Sequence, residues 1–216
     1  ICRGFYCIAL RMKVFSVWFL FLCVFILFAK TAFGKTETLD GNNGLSSSVV
    51  TDVVKDRRGL MWIGTHNGLN SYNGYVFARP YPELADLAIS HLAYDKRKNV
   101  IWVGTRKGLF VVNPENDRVQ HLGEDTDWAK NNVTALIPMP GSVGVYVAYQ
   151  GGEIVEADSQ YRLRLITKLL AETGNTTPFV RSMCHAAEGG LYFSTFWHRG
   201  HLSHLDIETG RIREIY

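Results

Sequence analysis

Gly59-Leu60-Met61-Trp62-Ile63-Gly64-Thr65-His66-Asn67-Gly68-Leu69 returns forty positions later as Asn99-Val100-Ile101-Trp102-Val103-Gly104-Thr105-Arg106-Lys107-Gly108-Leu109. Trp62 pairs with Trp102, Gly64 with Gly104, Thr65 with Thr105, Gly68 with Gly108 and Leu69 with Leu109, without a gap. A repeat of about 40 residues in a β-rich pattern points to propeller blades before any single-domain fold.

Working outward, each copy sits inside a set of four short strands. In the first unit these are Val49 to Val54, Leu60 to Thr65, Leu69 to Tyr72 and Tyr75 to Ala78, with turns at Asp56-Arg57-Arg58-Gly59, at His66-Asn67-Gly68 and at the hairpin dipeptide Asn73-Gly74. In the second they are Ile89 to Tyr94, Val100 to Thr105, Leu109 to Asn113 and Val119 to Leu122. The third opens at Val133 to Pro138, places Tyr146 where the tryptophan stood and Gly152 where Gly108 stood, and closes with Leu163 to Ile166. The fourth runs through Phe179 to Met183, Leu191 to Thr195, Leu202 to Asp206 and Arg211 to Tyr216. Trp62, Trp102, Tyr146 and Tyr192 are thus spaced 40, 44 and 46 apart, a drift that insertions in surface loops explain. The expectation is an all-β partial β-propeller of about four four-stranded antiparallel blades, with units at about 45–82, 88–122, 132–167 and 179–216. One large aromatic per blade should fill the layer between neighbours. Gly64 and Gly104 should let a neighbouring backbone approach closely.

Ahead of the repeats, Met12-Lys13 leads into the apolar run Val14 to Phe28 and then into Ala32-Phe33-Gly34. A basic start, a run too short to span a bilayer and small residues at −3 and −1 read as a signal peptide helix over 12–34, cleaved before Lys35, with residues 1–11 an upstream or mis-started segment. Charge follows the same division. The whole chain carries +3, but residues 1–34 hold four bases and no acid, so the part from Lys35 onward is close to neutral, which excludes nucleic-acid binding driven by charge. Cys2, Cys7 and Cys23 lie in the leader, leaving Cys184 alone in 35–216; a disulfide scaffold is excluded and the core must stabilise the domain.

The hydrophobic strand, Asp, turn and Leu-Met-Trp-Ile-Gly-Thr-x-x-Gly-Leu pattern resembles the two-component regulator propeller repeat of hybrid two-component sensor histidine kinases, a family typified in gut Bacteroidetes that degrade polysaccharides. The likeness runs over nearly all of Leu45 to Tyr216 and is weakest in the third unit, where Ala148 stands in the Gly-Thr part. It implies a periplasmic sensor exported by its signal peptide, followed in family members by more blades, a β-sandwich, a membrane helix, a histidine kinase, a receiver and a DNA-binding domain. None of the signalling motifs occurs in these 216 residues, so the resemblance carries no kinase chemistry to any residue here. A seven-bladed ring needs roughly 280 to 320 residues at this period, so the chain reads as the N-terminal piece of a ring. Four blades alone are expected to oligomerise or aggregate through their open faces.

In propellers the loop between second and third strands opens on the face that usually carries the ligand. Those loops hold His66 and Asn67, Arg106 and Lys107, Tyr149 and Gln150, and Trp197, His198 and Arg199. Planar polar groups beside aromatic rings suit a carbohydrate, and Arg106 with Lys107 favour an acidic sugar. The alternative for each is a solvated loop tip. The triplet His198, His201 and His204 has metal-like spacing, but three-residue steps alternate faces on a strand, so no metal site is assigned. His185 beside Cys184 would point away from it, so no catalytic dyad is assigned either. The expected protein is a glycan-recognising sensor module without cofactor or catalytic residue, partnered by an oligosaccharide, by the remaining blades and membrane-linked kinase, and by a second copy as a homodimer at full length. The competing readings are a secreted propeller lyase or hydrolase acting on polysaccharide, and a protein-interaction propeller.

Overall fold

The computed structural model describes residues 38–170, 178–196 and 201–215. The signal peptide and residues 1–37 fall outside them, as do Trp197, His198 and Arg199. No helix among the described residues is long and apolar enough to cross a membrane.

Among the described residues sixteen strands form four separate sheets of four. The first contains β1 (Val50–Lys55), β2 (Met61–Thr65), β3 (Gly68–Tyr72) and β4 (Phe77–Ala78). The second contains β5 (Ile89–Asp95), β6 (Val100–Thr105), β7 (Gly108–Asn113) and β8 (Arg118–Leu122). The third contains β9 (Val133–Pro138), β10 (Val145–Tyr149), β11 (Glu153–Ala157) and β12 (Leu163–Lys168). The fourth contains β13 (Phe179–His185), β14 (Leu191–Phe196), β15 (Leu202–Leu205) and β16 (Ile212–Glu214). Within each sheet the strands pair antiparallel in sequence order, so each is an up-and-down blade. The first strands β1, β5, β9 and β13 pack against one another in succession, which puts them on the inside of the assembly.

Each seam between blades is one apolar cluster. Trp62 and Leu69 of the first blade meet Ile101, Val103, Phe110 and Val112 of the second. Trp102, Leu109 and Val111 then meet Val145, Val147 and Val155 of the third. Tyr146, Ala148 and Ile154 meet Leu191, Phe193 and Leu205 of the fourth. Successive strand residues point to opposite faces, so a central blade needs apolar residues on both, and every residue of β6 is buried. On the outer strand β8 the pattern alternates instead, with Arg118 and Gln120 exposed.

The glycines act at these seams as their sequence positions imply. A Cβ on Gly64 would come within 2.7 Å of Ile89 Cγ2, and one on Gly104 within 2.7 Å of Val133 Cγ1, so each marks the point where the next blade's first strand presses in. All four first strands also carry a β-bulge at the same place, between Val50 and Asp52, Ile89 and His91, Val133 and Ala135, and Val180 and Ser182. Beyond the bulge, side chains reach to the next blade's inner strand: Asp52 Oδ2 accepts from the Leu92 amide at 2.8 Å, and His91 Nε2 lies 2.9 Å from the Thr134 carbonyl oxygen.

Two strand expectations are corrected. Asn73-Gly74 does not close a two-residue hairpin: Asn73 Oδ1 accepts from the amides of Tyr75 and Val76 at 3.0 and 2.9 Å, which holds 73–76 as a loop and shortens β4 to Phe77–Ala78. In the third blade Ala148 pairs with Ile154, so Glu153, not Gly152, stands across from Tyr149, as Gly108 stands across from Thr105. That turn is one residue longer than its counterparts.

The first blade adds a polar anchor. Asp56 is buried and accepts from the amides of Arg58 and Leu60 at 2.9 and 3.0 Å and from Trp62 Nε1 at 3.3 Å. Asp56→Ala leaves the buried Trp62 Nε1 without an acceptor and frees the amides of Arg58 and Leu60, and a loss of about 1–3 kcal/mol is expected in urea unfolding. An effect below ~0.5 kcal/mol would show that water replaces the carboxylate there.

Its outward face is partly covered by the segment before β1. Ser46 donates its amide to Asn70 Oδ1 at 3.1 Å and accepts from Asn70 Nδ2 at 2.7 Å, while Leu45 is buried beside them. On the other end of the stack Cys184 is exposed on β13.

Candidate functional site

The turns between second and third strands are built on one device in the first two blades. Thr65 Oγ1 donates to the Gly68 carbonyl at 3.0 Å and accepts from the Asn67 amide at 3.0 Å. Thr105 does the same with Gly108 and Lys107, both at 2.9 Å. The hydroxyl locks a two-residue turn from beneath, so His66, Asn67, Arg106 and Lys107 are exposed on a stiff base. The next amide ties each turn to the residue before its blade's first strand: His66 N to Val49 O at 3.2 Å, Arg106 N to Ala88 O at 3.1 Å and Gln150 N to Asn132 O at 2.8 Å.

The connections between blades lie over the same end. A Cβ on Gly68 would run into the carbonyls of Leu84 and Ala85, and one on Gly108 into that of Ala129, because the 3-10 turns Pro82–Leu84 and Asp127–Lys130 cross there. Arg79 donates to the carbonyls of Asn67 (3.0 Å) and Ala85, joining turn and connection in the first blade. His66, Asn67, Arg106, Lys107 and Gln150 therefore share one face of the stack.

Tyr149 is placed differently from the other candidates. It ends β10 at the register position of Thr65 and Thr105, and its side chain is buried, ring against ring with Trp128 at 5.6 Å and 71°. Burial, and after it the field of Glu153, pushes its phenol well above the ordinary tyrosine value. Glu153 is itself buried and pairs through Oε1 with Lys168 Nζ at 2.8 Å.

Sequence reading did not single out Trp128, Glu153 or Arg79. Trp128 had a signal, being a tryptophan in the otherwise polar stretch Glu124 to Lys130 between two units. Glu153 was hidden by the assumption that the third turn matched the others in length.

The histidines near the fourth blade have their own bonds: His201 Nδ1 contacts Glu214, His204 Nε2 lies 2.8 Å from the Gly189 carbonyl oxygen, and His185 Nε2 lies 2.7 Å from that of Pro138. No group of three or more His, Cys, Asp or Glu side chains that could hold a metal ion occurs among the described residues.

Residues 44–67 match the family described as Two component regulator propeller. Over 35 residues the chain is 46% identical to Histidine kinase P4 of Formosa agariphila, a stretch covering 16% of this chain and 3% of that protein. Among solved structures it is similar to the extracellular domain assigned to a hybrid two component system of B. thetaiotaomicron, at 19% identity and a TM-score of 0.47, over 79% of this chain and 28% of that one. It is also similar to an ancestral GH74 enzyme, at 14% identity and a TM-score of 0.64, over 80% of this chain and 26% of that one. The chain thus spans a small part of the length of the proteins it matches. The last likeness is one of fold. The match at 44–67 makes the chain resemble the propeller-type sensor part of two-component regulators, and not a catalytic kinase domain.

Proposed function

We propose that this chain is the extracytoplasmic ligand-sensing part of a hybrid two-component sensor, lying on the periplasmic side of the inner membrane, where it recognises a glycan and regulates a histidine kinase encoded further along the same protein. The observation that carries the reading is the regulator-propeller repeat at 44–67, whose strand order recurs through the next blades and whose glycines and threonine recur in the second. Between the first two blades the exposed turn residues differ while the threonine-locked base under them stays the same, as expected of a scaffold that varies its contacts. His66, Asn67, Arg106, Lys107 and Gln150 supply hydrogen-bonding groups on one face, and the two cations beside each other on the second blade favour a carboxylate-bearing sugar.

Calorimetry on the chain with a panel of neutral and uronic hexasaccharides tests this. Binding without new reducing ends supports the sensor, whereas cleavage of the oligosaccharide supports an enzyme. For hexagalacturonate, the double substitution Arg106→Ala/Lys107→Ala is expected to weaken binding about tenfold or more, the equivalent of about 1.4 kcal/mol. An unchanged affinity would remove these two residues from the site.

A further inference from the structure

Among the buried polar atoms at the seam between the second and third blades that have no hydrogen-bond partner among the described residues are Tyr149 Oη and Glu153 Oε2. They belong together. Tyr149 follows Val145 and Val147 on β10, Glu153 precedes Val155 and Ala157 on β11, and all six turn toward the second blade. One register step beyond Ala148 and Ile154, Tyr149 and Glu153 face each other across the two strands, which brings cross-strand side chains to about 5 Å at their Cβ atoms.

A buried phenol or carboxylate oxygen is costly unless something pairs with it. Lys168 takes only Oε1 of Glu153. Above the carboxylate the backbone is bare: Gly151 rests against it so closely that a Cβ there would collide with Oε1 and Oε2. Beside it the half-buried Trp128 meets the Tyr149 ring at 5.6 Å and 71°.

We propose that this seam is the anchoring subsite for a vicinal diol of a pyranose ring, with Trp128 as the stacking plane and Tyr149 Oη and Glu153 Oε2 as the polar pair. One sugar hydroxyl donates to the carboxylate oxygen and its neighbour accepts from the phenol, while the C–H face of the ring lies on the indole. Gly151 covers the pair, so access requires the turn to open against the bonds from Gln150 N to Asn132 O (2.8 Å), Gly152 N to Tyr149 O (3.0 Å) and Leu169 N to Gly152 O (2.9 Å). Lys168 holds the carboxylate in place through Oε1. This assignment rests on the glycan reading above and places its anchor at side chains different from the exposed turn residues.

The test uses the chain, the hexasaccharide panel, and the substitutions Tyr149→Phe and Trp128→Ala. Because the Tyr149 hydroxyl bonds to no described protein group, Tyr149→Phe should leave the thermal midpoint unchanged or raise it. The same substitution should weaken binding of the hexasaccharide that wild type takes by about tenfold. Trp128→Ala should weaken it further and abolish the ligand-induced change in indole fluorescence. If wild type binds a glycan and Tyr149→Phe binds it equally well, the subsite is wrong and the sensor reading stands. A midpoint that falls together with affinity assigns the hydroxyl to the fold and also overturns the subsite. If no member of the panel binds wild type at millimolar concentration, both fail.

Discussion

Trp102→Ala is expected to lower the unfolding free energy by about 3–5 kcal/mol, read from the midpoint and slope of urea denaturation. The indole is fully buried in the middle seam, between its own sheet and the valines of the third, and meets Tyr161 edge to face at 5.6 Å. Removing it opens a cavity that neither sheet can close, because both are fixed by their ladders. Domains of this size hold only about 5–15 kcal/mol in total, so the loss is a large fraction of the whole. Trp102→Phe should cost much less, since Nε1 has no partner among the described residues. Trp62→Phe, by contrast, also breaks the bond to the buried Asp56 carboxylate, adding about 1–3 kcal/mol. Equal costs for the two Trp→Phe substitutions would mean that the indole N–H of Trp62 contributes nothing.

Gly108→Ala should cost about 2–4 kcal/mol, for two reasons that a control can separate. The residue has φ +109, a conformation that side-chain-bearing residues rarely adopt. A Cβ there would also strike the Ala129 carbonyl and approach His121 Nε2 to 2.8 Å. Gly74 has φ +96 but nothing within 4 Å, so Gly74→Ala isolates the backbone strain, about 1 kcal/mol by comparison. If both substitutions cost the same, the connection between blades is free to move aside. If Gly108→Ala costs more, it displaces the turn that carries Trp128, and thermal midpoints of the two variants measure the difference.

Much of this architecture was legible because one seam uses the same few residue types as the next. Trp62, Trp102, Tyr146 and Tyr192 occupy equivalent register positions on β2, β6, β10 and β14, and the first three fill the layers assigned to them. What escaped reading depends on local hydrogen bonds and single-residue shifts. Tyr75 and Val76 have strand-like side chains, yet Asn73 captures their amides first, leaving Tyr75 almost wholly exposed. The extra residue before Glu153 changes which side chain faces Tyr149, and composition gives no warning of it. The repeated Val-Thr, Ile-Ser, Val-Thr and Val-Arg steps at 50–51, 89–90, 133–134 and 180–181 were visible, but only the ladders show that they mark bulges. For the site, the exposed turn residues followed from the repeat, whereas Trp128 lies in a connection whose counterpart, Pro82–Leu84, carries no tryptophan.

Those four bulges explain how four blades with little sequence in common keep one form. A bulge adds twist through the backbone, whatever side chain occupies it, and here Thr51, Ser90, Thr134 and Arg181 serve alike. The angular pitch of the wheel is therefore written in where the main chain skips a rung, a trait that substitution leaves intact and that only insertion or deletion erases. Substitution can then rewrite the contacts on the rim while the spokes stay at the same inclination.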